Sequence, residues 1–442
     1  MSRGSVALVA VSAAATAALL LVPVATAADV TLPLVLVATA ALAWCAFREA
    51  DRPTLPAGFV FVVAAVLAIL AVLCPPHGSR DVWAYVMYGR IHAVHHANPY
   101  VALPQEFSAD PFFDRMAPYW WKTTSVYGPW FTLLSSAIAG LGRHSAFLSR
   151  AGFQLAAAAA HLFVGAVLVR RRAPVWVLLA VLLNPLVLVT VVNGGHNDAL
   201  VGAALLGAAL AADRRHPMVA GLALSMAIGV KAVAVIPAAA LLLWWWWKGE
   251  RRAAAVTAVS VAVPTLAGFA LFGGMAPVRS LLAASSHVSR PNFWRLVQAA
   301  GRVTDHPVSR SWIGMASLVL VAAVTAVLVR PRLRDDHAAG VLAAGAAGYL
   351  FAAAYVLPWY VMWALPVAAL AAVSTAGGQR VLALVLSLGT ALLVTSQYRA
   401  VARPDLLDRA LGVIGAVAQV AFLAVCAALL LDRPLTRQVE RR

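Results

Sequence analysis

The sequence predicts an all-α, polytopic transmembrane helical bundle, and three observations predict it. The chain is 62% hydrophobic and only 12% charged, too little charge to cover a soluble protein of this length. Its mean hydropathy is +0.84. Apolar runs follow one another at about the 17–25 residues that a helix needs to cross ~30 Å of hydrocarbon. Short arginine clusters separate those runs: Arg170–Arg172, Arg214–Arg215, Lys248–Arg252, Arg330–Arg334 and the tail ending Arg441–Arg442. Clusters of this kind mark cytoplasmic loops. They account for the net charge of +17 without a nucleic-acid partner, and the lipid bilayer is the partner they imply.

Taken in order, apolar runs occupy 6–27, 30–47, 57–74, 129–142, 151–169, 174–193, 199–212, 217–230, 232–247, 253–275, 311–329, 338–356, 359–376, 380–398 and 410–431. Several are too short to cross unaided, so about 12–14 spans are expected. Residues 6–27 have the look of a signal peptide, but a second apolar run follows at once and favours a retained first span. Two hydrophilic intervals interrupt the series, 75–128 and 276–310, and residues 1–442 otherwise read as one integral-membrane domain.

Counting back from a cytoplasmic C-terminus puts the arginine clusters inside and 276–310 outside, with the "NGGHND" turn at 193–198. Counting forward from a cytoplasmic N-terminus puts 75–128 outside as well. The two counts differ by one span at 129–150. Since 129–142 is short for a bilayer, a broken or re-entrant segment is expected there. The three cysteines, Cys45, Cys74 and Cys426, are too scattered for a disulfide framework or a metal site.

The densest polar chemistry lies in "SRDVWAYVMYGRIHAVHHANPY", residues 79–100. At helical spacing Asp81, Tyr85, Tyr88, His92 and His95 form one stripe. Val82, Trp83, Val86, Met87, Ile91 and Val94 line the other side with Arg90 among them, and Pro99 disfavours helix at Asn98. Such a helix can lie in the membrane interface with its stripe toward a cavity. A solvated face would carry Lys, Glu, Ser and Gln instead. Carbohydrate or phosphate suits this stripe, whereas "HxxHH" lacks a second carboxylate for a metal.

Further along, "VYGPW" (126–130) opens an apolar run, with Tyr127 and Trp130 suited to an interfacial belt. In "NGGHNDAL" (193–200), Asn197 or Asp198 reads as a helix cap. Alternatively His196 and Asp198 are functional groups, as ionisable residues near membrane depth are by default. Lys231 is a lone cation between Met218 and Trp247, either snorkelling or partnering a lipid phosphate. "YVLPWYVMW" (355–363) sets four aromatics and a breaker at a span boundary, which belt anchoring explains.

Together, "RDVWAYVMYGR…NPY", "YGPW", "NGGHND", "GVK…IP" and "YVLPWYVMW" resemble the integral-membrane GT-C glycosyltransferases. Among these, the match is to the polyprenol-phosphate-mannose-dependent α-1,6-mannosyltransferases of actinobacteria. The resemblance spans residues 80 to about 363. It implies a plasma-membrane enzyme acting on the extracytoplasmic face. A polyprenyl-phosphate sugar, rather than a nucleotide sugar, would be the donor and a lipid-linked mannan or lipoglycan the acceptor; no cofactor and no metal are expected. It also implies a catalytic acid in the first external loop, where Asp81 stands. The wider fold's paired acidic motif reads "SRD" here, with a single carboxylate.

On that reading Asp81 is the general base, and Arg90 and Lys231 hold the donor phosphate. Tyr85, Tyr88, His92, His95, Tyr127, His196, Asn197 and Asp198 bind sugar and acceptor. The alternative is a transporter or lipid flippase. Such proteins show inverted halves with broken helices at midplane, and no such symmetry is visible. The two classes separate on whether Asp81, Asp198 and Lys231 converge at one external cavity or line a path through the membrane.

Overall fold

Alanine and leucine are strong helix formers, and hydrocarbon obliges a spanning segment to satisfy its backbone internally. The apolar runs accordingly fold as helices in the computed structural model, which describes residues 1–22, 28–284, 287–289 and 292–372. The runs expected at 380–398 and 410–431, the basic tail and Cys426 lie outside the described residues.

The described helices are α1 (Arg3–Leu21), α2 (Ala28–Asp51), α3 (Ala57–Leu73), α4 (Asp81–Ala93), α5 (Pro129–Leu141), α6 (Ala146–Arg170), α7 (Val175–Leu182) and α8 (Asp198–Asp213). They continue with α9 (Pro217–Val230), α10 (Val235–Trp247), α11 (Arg251–Leu271), α12 (Met275–Ala284), α13 (Trp294–Val303), α14 (Arg310–Arg332), α15 (Ala338–Ala352) and α16 (Leu365–Ala372). Side-chain caps from Ser2, Ser145 and Ser309 open α1, α6 and α14, and Pro129 and Pro217 start α5 and α9, where a missing N–H costs nothing. Among the described residues there is no strand. Six helical segments are long and apolar enough to cross a membrane, and five shorter apolar helices accompany them. The protein is a polytopic all-α bundle.

The central element is α7, which runs on through a π-helical turn at Val187–Val192 and is buried almost throughout. Around it the bundle has two chemically different ends. At one end the C-termini of α8, α10 and α14 meet. Arg215 pairs with Glu250 at 2.6 Å and Lys248 with Asp336 at 3.2 Å. Trp244 donates to Asp335 O at 3.0 Å, and Asp213 accepts the Ala338 N–H at 2.8 Å. At the opposite end stand the close of α3, the start of α8, the α9–α10 junction and Pro358–Trp363.

The segment 129–150, where the two counts differ, contains α5. Its first end is held by a Gly128 N–H to Val230 O bond of 3.1 Å. Its last end is held by Ser149, which donates to Gly142 O at 2.9 Å. Ser149 adjoins Arg150, whose guanidinium reaches Cys74 O at 2.8 Å. Val230 and Cys74 both belong to the non-basic end, so α5 begins and finishes there. With both ends of α5 at one end of the bundle, the long helices before and after it alternate in direction.

Helix α4 packs along α5, and residues 97–128 fold back over it. Eleven residues of α4, Asp81 to Ile91, are buried, so its apolar side meets protein. The two hydrophilic intervals also touch, Ser280 donating to Ser125 O at 2.6 Å, and Asn98 of the first donates to Phe272 O, just before the second, at 2.8 Å.

Candidate active site

Asp81 is the first residue of α4, and its carboxylate does not cap the helix. The N-cap is Arg80, which makes no side-chain cap bond. Arg80 instead donates to Asp114 O at 2.6 Å and Arg115 O at 2.8 Å, fixing the turn that precedes Pro118–Trp120. That 3-10 turn delivers two donors to one carboxylate oxygen. Tyr119 OH and Trp120 Nε1 lie 2.9 and 3.0 Å from Asp81 Oδ1. Oδ2 has no such donor among the described residues. Burial pushes the Asp81 carboxyl above the usual carboxylate range, opposed by Trp120, Tyr119, the nearby Lys231 charge and Ser79.

The "NGGHND" turn supplies the facing wall. Gly195 sits at φ +64°, a conformation that glycine adopts without steric cost. A Cβ on Gly194 would meet Thr190 O and the His196 ring. The turn can therefore curl tightly enough to bring His196 back against Trp359, with ring centroids 3.7 Å apart. The Tyr85 hydroxyl lies 3.1 Å from His196 Nδ1. Asn197 is the N-cap of α8 but makes no side-chain cap bond, so the capping explanation does not apply to it.

Asp198 accepts from Lys231 Nζ at 2.7 Å and Trp363 Nε1 at 2.6 Å, both on Oδ1. Lys231 breaks the apolar stretch between α9 and α10 in an extended conformation. Its ammonium stands over Tyr360 at 4.3 Å and Trp363 at 5.2 Å. "YGPW" holds this junction in place, because Gly128 and Gly229 pack so closely that a Cβ on Gly128 would meet Gly229 O. His196 Nε2, both Asn197 amide atoms and Asp198 Oδ2 are buried without a hydrogen-bond partner among the described residues. Unmade bonds of this kind cost about 1–3 kcal/mol each, and here four of them fall within three consecutive residues.

The expected site residues thus divide. Asp81, Tyr85, His196, Asn197, Asp198 and Lys231 converge at one end of the bundle. Tyr127 buttresses Tyr85 edge-on at 4.9 Å, and Tyr88 donates to Thr123 O at 2.8 Å. Arg90, His92 and His95 lie farther along α4, Arg90 about 13 Å from Asp81 by helical rise. Arg90 was expected to hold the donor phosphate, and in the structure its guanidinium is engaged by protein groups. Its Nε lies 2.9 and 2.8 Å from the two Asp110 oxygens, its Nη1 donates to Arg143 O at 2.8 Å, and its guanidinium covers Phe112 at 4.4 Å. The expectation assumed lipid beside α4, where the 97–128 segment supplies protein. His95 Nε2 lies 2.8 Å from Asp110 Oδ2, and His92 Nδ1 lies 3.0 Å from Ser136 Oγ. No group of three or more His, Cys, Asp or Glu that could hold a metal occurs among the described residues.

Several contributors escaped the sequence reading. Asn193 joins the segment leading into α4 to the facing turn: its Nδ2 donates to Ala71 O and Pro75 O, each at 2.9 Å, and its Oδ1 accepts the His77 N–H at 2.8 Å. Gln154 donates to Asn193 O at 2.7 Å. The carbonyls that end α3, which a helix leaves unsatisfied, are thereby tied to the turn carrying His196 and Asp198. Tyr119, Trp120, Trp359 and Trp363 were also missed as site residues. Trp359 and Trp363 read as belt anchors until their ring faces and the Trp363 N–H are placed.

A polytopic helical bundle whose carboxylates, lysine and aromatic walls gather at one end, rather than along a path through it, has the construction of a membrane-embedded transferase. Residues 2–248 match the alpha-(1->6)-mannopyranosyltransferase family in its N-terminal domain, and residues 126–384 match glycosyltransferase family 87. The chain belongs to the alpha-(1->6)-mannopyranosyltransferase family and is a membrane glycosyltransferase. Both matches include the "NGGHND" turn and Lys231, while Asp81 falls within the first alone. No curated protein matches the chain.

Proposed function

We propose that the protein transfers a mannosyl unit from a polyprenyl-phosphate donor to a glycan hydroxyl, with inversion, on the extracytoplasmic face. The observation that carries this reading is the convergence of Asp81 with the Asp198–Lys231 pair beside four unpartnered buried polar atoms. Asp81 Oδ2 takes the proton of the attacking acceptor hydroxyl. The hydroxyl oxygen bonds to the anomeric carbon as the bond from that carbon to the phosphate oxygen breaks. The phosphate leaves as a stable anion and needs no acid from the protein. Lys231 has one hydrogen-bond acceptor, Asp198 Oδ1, whereas an ammonium carries three donors, so it has donors to offer a phosphate. His196 and Asn197 offer the sugar hydroxyls their free valences. The basic loops at the opposite end favour a cytoplasmic position for that end, which leaves the site outside.

The test is transfer of label from radiolabelled polyprenyl-phosphate mannose to α-1,6-mannan acceptors in membranes holding the protein. Asp81→Asn should insert normally yet lose turnover about 10²–10⁴-fold, the usual contribution of a general base. Near-normal turnover with both substrates saturating would move the base elsewhere. For the sidedness, cysteines placed at the exposed Ser108 and Thr304 should react with an impermeant reagent in intact cells. Labelling only after permeabilisation would reverse the topology.

A further inference from the structure

Most aromatic rings of the site are buried: Tyr85, Tyr127, Trp359, Tyr360 and Trp363 are each less than 10% exposed. Tyr119 is the exception. Its residue is 65% exposed although its hydroxyl is pinned 2.9 Å from Asp81 Oδ1. Trp120 stands 5.3 Å away at 47° and donates to the same oxygen, so the 3-10 turn at Pro118–Trp120 restrains the ring from its backbone side as well. The result is a fixed aromatic surface, open on one side, whose polar edge adjoins the candidate base.

A pyranose ring matches that surface in shape and chemistry. Its C–H face is apolar and about the size of a phenol ring, and its hydroxyls project at the rim. A sugar stacked on Tyr119 would place rim hydroxyls beside the phenol oxygen, and so beside the Asp81 carboxylate. We propose that Tyr119 is the platform on which the terminal sugar ring of the acceptor glycan stacks. The platform presents one hydroxyl to Asp81 and makes the acceptor a sugar-terminated chain rather than a simple lipid alcohol. This rests on the mannosyl-transfer reading above. A ring that merely anchors the loop in the headgroup region would be exposed too, and the experiment separates the two.

Tyr119→Leu removes the stacking surface but keeps an apolar side chain for the interface. Tyr119→Phe keeps the surface and removes the hydroxyl. In the transfer assay Tyr119→Leu should raise the acceptor KM about tenfold, as loss of an aromatic contact does, and leave the donor KM unchanged. Tyr119→Phe should hold acceptor KM near the wild-type value while moving the acid limb of kcat to higher pH, because the carboxylate loses a donor that favours its ionised form. An unchanged acceptor KM in Tyr119→Leu overturns the proposal, as does an equal rise for donor and acceptor, the signature of a displaced loop.

Titration of the purified full chain with an α-1,6-linked mannose oligosaccharide alone keeps this proposal apart from the transfer reading. Binding by wild type that weakens in Tyr119→Leu supports the platform even where no donor is turned over. No binding by wild type, or equal binding by both, overturns it.

Discussion

Asp110 and Asp198 are both buried carboxylates paired with a cation, 2.8 Å from the buried Arg90 in one case and 2.7 Å from the half-buried Lys231 in the other. Their surroundings differ in hydrogen-bond satisfaction. Both Asp110 oxygens are in use: Oδ1 meets Arg90 Nε and the Phe112 N–H, and Oδ2 meets Arg90 Nε and His95. Asp198 has Oδ2 unpartnered, and the two residues before it carry three more unpartnered atoms. A closed network rigidifies the fold around it, whereas an open one holds binding capacity in reserve. Burial and charge alone do not separate a lock from a site. These two clusters differ in their unfilled valences.

Breaking the lock should produce the larger energetic effect. Asp110→Ala leaves the Arg90 guanidinium buried without its carboxylate, a change that costs about 3–5 kcal/mol in comparable pairs. The thermal midpoint of the detergent-solubilised protein should fall by many degrees. The fraction that remains folded should keep its kcat and both KM values, since Asp110 touches neither Asp81 nor the Asp198–Lys231 pair. A selective loss of donor affinity without loss of stability would instead return Arg90 to the binding machinery.

This division explains what could be read from the sequence. The all-α bundle was legible because apolar runs of spanning length and the loops between them are local features. Asp81, His196, Asp198 and Lys231 were legible as charged or polar residues in apolar surroundings. Arg90 satisfied the same criterion, yet its partner lies twenty residues on in a loop with no periodic pattern. The stripe from Asp81 to His95 is one helix face whose two halves face different neighbours, and helical spacing cannot report neighbours. Asn193 escaped for a related reason. Its polar atoms meet backbone groups near residue 75, the Ala71 and Pro75 carbonyls and the His77 N–H, and backbone partners leave no trace in a sequence.

Within the open region, Lys231→Met should act on binding before stability. Charge-assisted hydrogen bonds contribute about 1.5–3 kcal/mol, so the donor KM should rise roughly 10–100-fold. The acceptor KM should stay near its wild-type value. Loss of Lys231 also leaves Asp198 without its cation, so Lys231→Arg is the control for folding and should recover part of the donor affinity. Unaltered donor KM in an inserted Lys231→Met protein would make the lysine a structural partner of Asp198, and the two regions would then be alike.

The smallest effect concerns proton affinity. As the proposed base Asp81 must be ionised to accept a proton, and burial raises its pKa from the ordinary carboxylate value. The acid limb of kcat should therefore begin at higher pH than an exposed aspartate would give, with activity falling as pH drops through it. Trp120 opposes that rise by donating to Oδ1. Trp120→Phe removes a donor that stabilises the charged form, so the limb should move further up, by about one pH unit or less. His95→Gln, which alters the lock, should leave the limb in place, because His95 reaches Asp110 and not Asp81. A limb that follows His95 and ignores Trp120 would mean that the titrating group belongs to the Asp110 cluster, and that Asp81 is not the base.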